Sequence, residues 1–102
     1  MINPGDIVPR RDVNSELFIA VLSNAAHLQA ATGRVVVCPF VPGALPDDAM
    51  ALVVPVDHPA GVLLPELVQW LPASALDEPV GNVGALATAR AVGIVHALIA
   101  AD

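Results

Sequence analysis

The residues best able to do chemistry stand close together near the start of the chain: Arg10-Arg11-Asp12, with Glu16 four positions on. Two adjacent arginines can fork onto one phosphate through charge-assisted hydrogen bonds. A carboxylate beside them can accept a proton from a ribose hydroxyl. Arg10 and Arg11 are therefore the candidate phosphate ligands, and Asp12 and Glu16 the candidate bases. The same loop also reads as a solvated run of local ion pairs or a docking point for an acidic partner, because surface pairs of this kind are common and weak.

Three further residues are candidate RNA contacts. Arg34 opens the run RVVVCPF, and Gln69-Trp70 sets the only tryptophan beside an amide. An indole can stack on a base, and it can equally fill a core or an interface between copies. His27, His58 and His96 are scattered without the spacing of metal ligands, so no metal and no cofactor are expected. No glycine-rich phosphate loop, nucleophile elbow or Cys–His signature occurs in the sequence. Cys38 has no second cysteine to pair with. Inside VVVCPF it reads as a buried thiol, in keeping with a reducing, cytoplasmic setting.

Charge narrows the choice of partner. The net charge is −6, from ten acidic residues against four arginines and no lysine. Broad nucleic-acid surfaces draw affinity from many phosphate contacts, so any contact with RNA must be local. A length of 102 residues supports one domain, 1–102, and not two cores. Hydrophobic residues make up 56% of the chain and aromatic ones 3%, so the core must be built from Val, Leu, Ile and Ala. That much apolar surface on a small domain implies a second copy or an obligate partner. No signal-peptide pattern opens the sequence. The segment 83–101 approaches spanning length but carries Thr88, Arg90 and His96, so no membrane association is expected.

The elements that must position these residues are short. Leu17–Leu22 and Val35–Phe40 are β-branched and aromatic runs that read as paired, buried strands at the centre of a sheet. A brief first strand, Ile7-Val8, ends near Pro9, whose missing N–H confines it to an edge. Asn24 caps, and Gly33 stops, one or two helical turns between them. Proline-rich turns separate further strands over Met50–Val56 and Leu67–Leu71. From Asn82 the prolines vanish, and a helix capped by that residue is expected, with Val83, Leu86, Ile94 and Ala97 on one face. Its other faces are apolar too, so it is buried or packs on a partner. The expected fold is mainly β with a C-terminal helix, the β core over about 5–78 and the helix over about 82–101.

GDIV near the start, then LFIAVLSN and GRVVVCPFV, resemble the CcdB and MazF/PemK toxins of bacterial toxin–antitoxin pairs. The likeness runs over most of the chain. It implies a small SH3-like barrel with a C-terminal helix, a homodimer, and a cognate antitoxin whose flexible tail wraps the toxin. MazF-type ribonucleases usually carry Arg-Pro leading into the second strand, where this chain has Leu17 and Phe18. They also tend to carry Ser or Thr just past the third strand, where this chain has Val41. LFIAVLSN is closer to the CcdB version of that strand. CcdB toxins act on gyrase through a tail bearing Trp-Gly, whereas this sequence reads Ala100-Ala101-Asp102. The resulting reading is a type II toxin that stops growth by metal-independent cleavage of RNA, acting as a cytoplasmic homodimer and neutralised by a cognate antitoxin. Catalysis is assigned to Arg10, Arg11, Asp12 and Glu16, and RNA binding to Arg34, Gln69 and Trp70. Two alternatives stay open: a non-enzymatic inhibitor of DNA gyrase or another protein, and an inactive binding module on the same fold.

Overall fold

Nine consecutive residues, Arg34–Pro42, form the longest strand, β3, and the rest of the sheet is arranged along it. The computed structural model describes residues 1–13, 17–43 and 52–100. The other strands are β1 (Asp6–Pro9), β2 (Phe18–Val21), β4 (Val54–Asp57), β5 (Ala60–Leu63), β6 (Gln69–Pro72) and β7 (Gly81–Asn82). The helices are α1 (Ala25–Gln29) and α2 (Ala85–Ile99). The strand order is β4-β5-β3-β2-β1-β7, with β6 also beside β3. β2 lines one side of β3, with Ala20 opposite Cys38 and Phe18 opposite Phe40. Its other side is shared end to end, since β6 pairs with Arg34–Val37 and β5 with Phe40–Pro42.

Side chains alternate across a strand, so each central strand feeds two cores. Val8, Ile19, Val21, Val35, Val37, Leu71 and Leu76 cluster on one face. A bridge between Arg10 and Leu76 brings the chain after β6 back to β1 and curls the sheet around this first core. The opposite face carries Ile7, Ala20, Cys38, Phe40 and Leu63 and is covered by α2 through Ala91 and its neighbours. The result is a curled half-barrel with a helix on its outer side. No helix among the described residues is long and apolar enough to cross a membrane.

Three expectations change. β1 is not an edge strand, because β7 pairs with it. Proline forfeits a donor but keeps its acceptor, and the Pro9 carbonyl accepts the Asp77 N–H at 3.0 Å. α2 starts after Gly84 (φ 90°), not at Asn82. The Asn82 amide instead donates to Pro4 O and Asp6 Oδ1, both at 3.0 Å, and its oxygen accepts the Gly84 N–H at 2.7 Å. The inner face of the helix is Ala87, Ala91, Ile94 and Val95, while Leu86 is 66% exposed. A surface helix needs only a narrow apolar stripe, and α2 buries one residue fully, Ala91.

The small elements follow their sequence signals more closely. Asn24 Oδ1 accepts the His27 N–H at 2.8 Å and caps α1. The chain then leaves helical geometry through Ala31 (φ 50°) and Gly33 (φ 86°). β4 begins at Val54, and positions 50 and 51 of the strand expected there lie outside the described residues. β6 begins only at Gln69, because Pro65–Leu67 close a 3-10 turn.

Candidate functional site

At Phe40, β3 leaves β2 and continues with β5. That divergence opens a groove of about 440 Å³ at the end of the first core, lined by Leu17, Phe18, Pro39, Val41, Arg10 and Gln69 among others. Leu17 and Val41 are 45% and 47% exposed at its mouth. The groove walls are thus mostly apolar, and Arg10 is the one cation among the lining residues. A charge beside apolar walls acts through a lower effective dielectric than one in open water.

Arg10 is fixed at both ends. Its backbone N–H donates to Leu17 O at 3.0 Å, and it bridges to Leu76. Its guanidinium forks onto Asp12, with Nε donating to Oδ1 at 2.9 Å and Nη2 to Oδ2 at 2.8 Å. This hydrogen bonding raises the Arg10 pKa and holds the Asp12 carboxyl below its ordinary value. A carboxylate held in this way is a weaker base, which suits Asp12 to orienting Arg10 and not to taking a proton.

The other residues singled out in the sequence separate. Arg11 donates its backbone N–H to Ala75 O at 2.9 Å, and its guanidinium lies 3.6 Å from Asp77, with both side chains 56% exposed. It does not line the groove. Glu16 lies outside the described residues. Gln69 is half-buried in the groove wall. Arg34 lies five positions before Pro39 on β3, roughly 16 Å away at strand spacing. Trp70 is on the opposite face of β6 from Gln69, 60% exposed, and its ring meets His27 edge to face at 5.5 Å and 87°. The structure therefore gathers Arg10, Asp12 and Gln69, and leaves Arg11, Arg34 and Trp70 apart from them.

Reasoning from residue types passed over two sets of residues. Leu17, Phe18 and Val41, which stand where MazF-type ribonucleases carry Arg-Pro and Ser or Thr, are absent from the candidate site residues, yet they form the groove. His27 was set aside as one of three scattered histidines, although the local string Ser23-Asn24-His27 holds the signal. Its Nδ1 lies 2.7 Å from Ser23 Oγ. Cys38 is fully buried, and burial pushes its thiol up to about 12, so it offers no nucleophile to either face.

A family model described as the type II toxin–antitoxin system toxin Rv0299 matches residues 5–98. The chain belongs to this toxin family. It is 58% identical over 99 residues to Toxin Rv0299 of Mycobacterium tuberculosis (strain ATCC 25618 / H37Rv), a match that covers 97% of this chain and 99% of that one. The toxin also superposes on MazE-MazF (Form-II) from Deinococcus radiodurans with a TM-score of 0.79 at 21% identity, covering 99% of this chain and 97% of that one. A mycobacterial endoribonuclease in complex with its cognate antitoxin gives a TM-score of 0.79 at 13% identity, covering 100% and 98%. Toxin MazF-mt6 of Mycobacterium tuberculosis gives 0.71 at 17%, covering 95% and 98%. At these identities the structural likeness concerns the fold, a curled β half-barrel with a C-terminal helix, which bears out the mainly β fold with a C-terminal helix expected from the sequence.

Proposed function

We propose that the toxin cleaves RNA in the groove, with Arg10 holding the phosphate under attack. The observation that carries this reading is the Arg10 guanidinium, set by Asp12 among the walls formed by Leu17, Phe18 and Val41. In MazF-type ribonucleases the positions of Leu17 and Val41 usually bear polar groups, an arginine and a serine or threonine. Here the cation reaches the same groove from the end of β1.

In such a reaction the ribose 2′-oxygen attacks phosphorus as its proton passes to water, and the 5′-oxygen leaves and takes a proton from water, so negative charge grows on the non-bridging oxygens. A pre-oriented guanidinium stabilises that charge more than it stabilises the ground state. Asp12 acts as a positioning residue, and the Gln69 amide supplies neutral hydrogen bonds to the substrate. Arg11 contributes only to the general attraction of the backbone. The MazE-bound and antitoxin-bound structures among the fold's relatives support a cognate antitoxin as partner, with the toxin working as a homodimer in the cytoplasm.

The apolar groove walls favour one further reading, in which a protein such as gyrase is gripped without chemistry. Both readings meet in one experiment on purified, antitoxin-free toxin in EDTA. Wild type is expected to cut RNA, and Arg10→Ala to lower kcat about 10²- to 10³-fold, as loss of a transition-state donor does. Full activity in Arg10→Ala would remove this residue from the mechanism. Intact RNA together with inhibited DNA supercoiling would transfer the function to the protein target.

A further inference from the structure

We propose that Trp70, His27 and Arg34 form a second contact for single-stranded RNA on the outer face of β6, where a base stacks on the indole and a phosphate meets the guanidinium. The inference rests on RNA being the substrate of the groove, and it adds a subsite outside it.

The register builds this surface. Val36 faces Trp70 and Arg34 faces Pro72 across β3 and β6, so Arg34 and Trp70 are diagonal neighbours on one face. Such neighbours have Cβ atoms about 7–8 Å apart, within reach of long side chains. α1 adds His27 against the indole. Its imidazole is held by Ser23, which is 4% exposed. Ser23 Oγ accepts the Val36 N–H at 2.8 Å and meets His27 Nδ1 at 2.7 Å, so one hydroxyl ties the ring to β3.

The chemistry of the surface is one-sided. Guanidinium and indole N–H are both donors, and the indole adds a stacking face that accepts any base. Arg10 and Arg11 both face carboxylates, whereas Arg34 forms no salt bridge among the described residues. A depression of about 370 Å³ at the start of β3, lined by His27, Thr32 and Arg34 together with Val35 of the first core and not by Trp70, carries no acidic residue in its lining. In a chain of net charge −6 this is a local place for a phosphate.

The surface also adjoins the groove. Gln69 lines the groove, and the next residue, Trp70, lies on the opposite face of the same strand. β6 pairs with β3 alone among the described strands, and along its other edge, where no described strand lies, a strand of RNA would pass from one face to the other. The Cα step between the two residues is about 3.8 Å.

Trp70 is the only tryptophan, so its fluorescence reports on this surface directly. A short 2′-O-methylated RNA, which cannot be cleaved, should quench it. Trp70→Ala should raise the Kd for that RNA about tenfold, within the range seen for one stacked base. Arg34→Gln should weaken binding and flatten the dependence of log K on log salt by about 0.7. Both side chains are exposed, and thermal melts establish that the variants fold. Wild type that cleaves RNA without quenching, with both variants binding as wild type, would overturn this subsite and leave the groove reading standing. Absence of any RNA binding or cleavage by wild type would instead overturn the groove reading. Trp70→Ala that dissociates a dimer in ultracentrifugation while binding RNA normally would assign the surface to a contact between copies.

Discussion

In the groove, Arg10 is locked by two hydrogen bonds onto a carboxylate two residues away. On the outer face of β6, Arg34 has no such partner among the described residues and stands beside an indole and an imidazole. Gln69 and Trp70 join these regions as consecutive residues of one strand. The first arrangement fixes a cation's direction at the expense of part of its charge. The second keeps the charge whole and leaves the side chain freer. A site that must stabilise a transition state benefits from the first, since orientation set in advance needs no reorganisation during reaction. A site that only captures substrate can use the second.

The comparison breaks most sharply at Gly61, which supports the groove wall from behind. A Cβ there would lie 2.5 Å from Phe40 Cζ and 2.6 Å from the Val41 carbonyl oxygen. The ring lies in the second core and the carbonyl belongs to β3 itself, so neither gives way cheaply. Gly61→Ala is expected to cost about 1–3 kcal/mol, as overpacking does. The melting temperature should fall by at least about 4 °C. Because Val41 and Pro42 are pushed, RNA cleavage should fall while RNA still quenches Trp70. An unchanged melting temperature would show that β3 and β5 separate freely at this point.

Ser23→Ala makes the complementary change on the outer face. It leaves the Val36 N–H without its side-chain acceptor and His27 Nδ1 without its partner. Stranding one partly buried donor costs about 1 kcal/mol, so a smaller loss in denaturant midpoint is expected. The fluorescence of Trp70 should respond because the imidazole against it loosens, and RNA affinity should drop with cleavage chemistry preserved at saturating substrate. A midpoint and fluorescence both equal to wild type would mean that Ser23 holds nothing in place.

These two regions were unequally legible in the sequence. The valine runs of β2 and β3 marked the centre of the sheet, because continuous β-branched segments have few other uses. The arginine pair pointed to Arg10, but adjacency along a chain says nothing about direction: Arg10 lines the groove, and Arg11 turns toward Asp77. Gln69 and Trp70 were grouped as one feature for the same reason, and strand alternation divides them. The strand expected over Leu67–Leu71 already implies that division, since consecutive residues of any strand point to opposite faces. The α2 stripe was misjudged because nearly all of its residues are apolar, so periodicity had no polar face to contrast with. Ala91 is chosen by the sheet beneath it, which no local pattern encodes.

The smallest effect, and the most discriminating one, belongs to Asp12→Asn. If Asp12 serves to orient Arg10, asparagine keeps one acceptor oxygen of the fork, so cleavage should fall only a few-fold while binding of single-stranded RNA strengthens. The log K against log salt slope should steepen by about 0.7, as one more uncompensated cation meets phosphate. Little change in stability is expected, because the pair is exposed and such pairs contribute little. The pH dependence carries a sign. The Arg10 hydrogen bond holds the Asp12 carboxyl below its ordinary value, so the pair persists above the usual carboxylate range and is lost as pH falls through the lowered value. Wild type and Asp12→Asn should therefore differ in salt slope near neutrality and converge at acid pH. If cleavage instead collapses in the asparagine variant while RNA binding rises, Asp12 is the base after all, and the hydrogen bonds seen here belong to the resting groove alone.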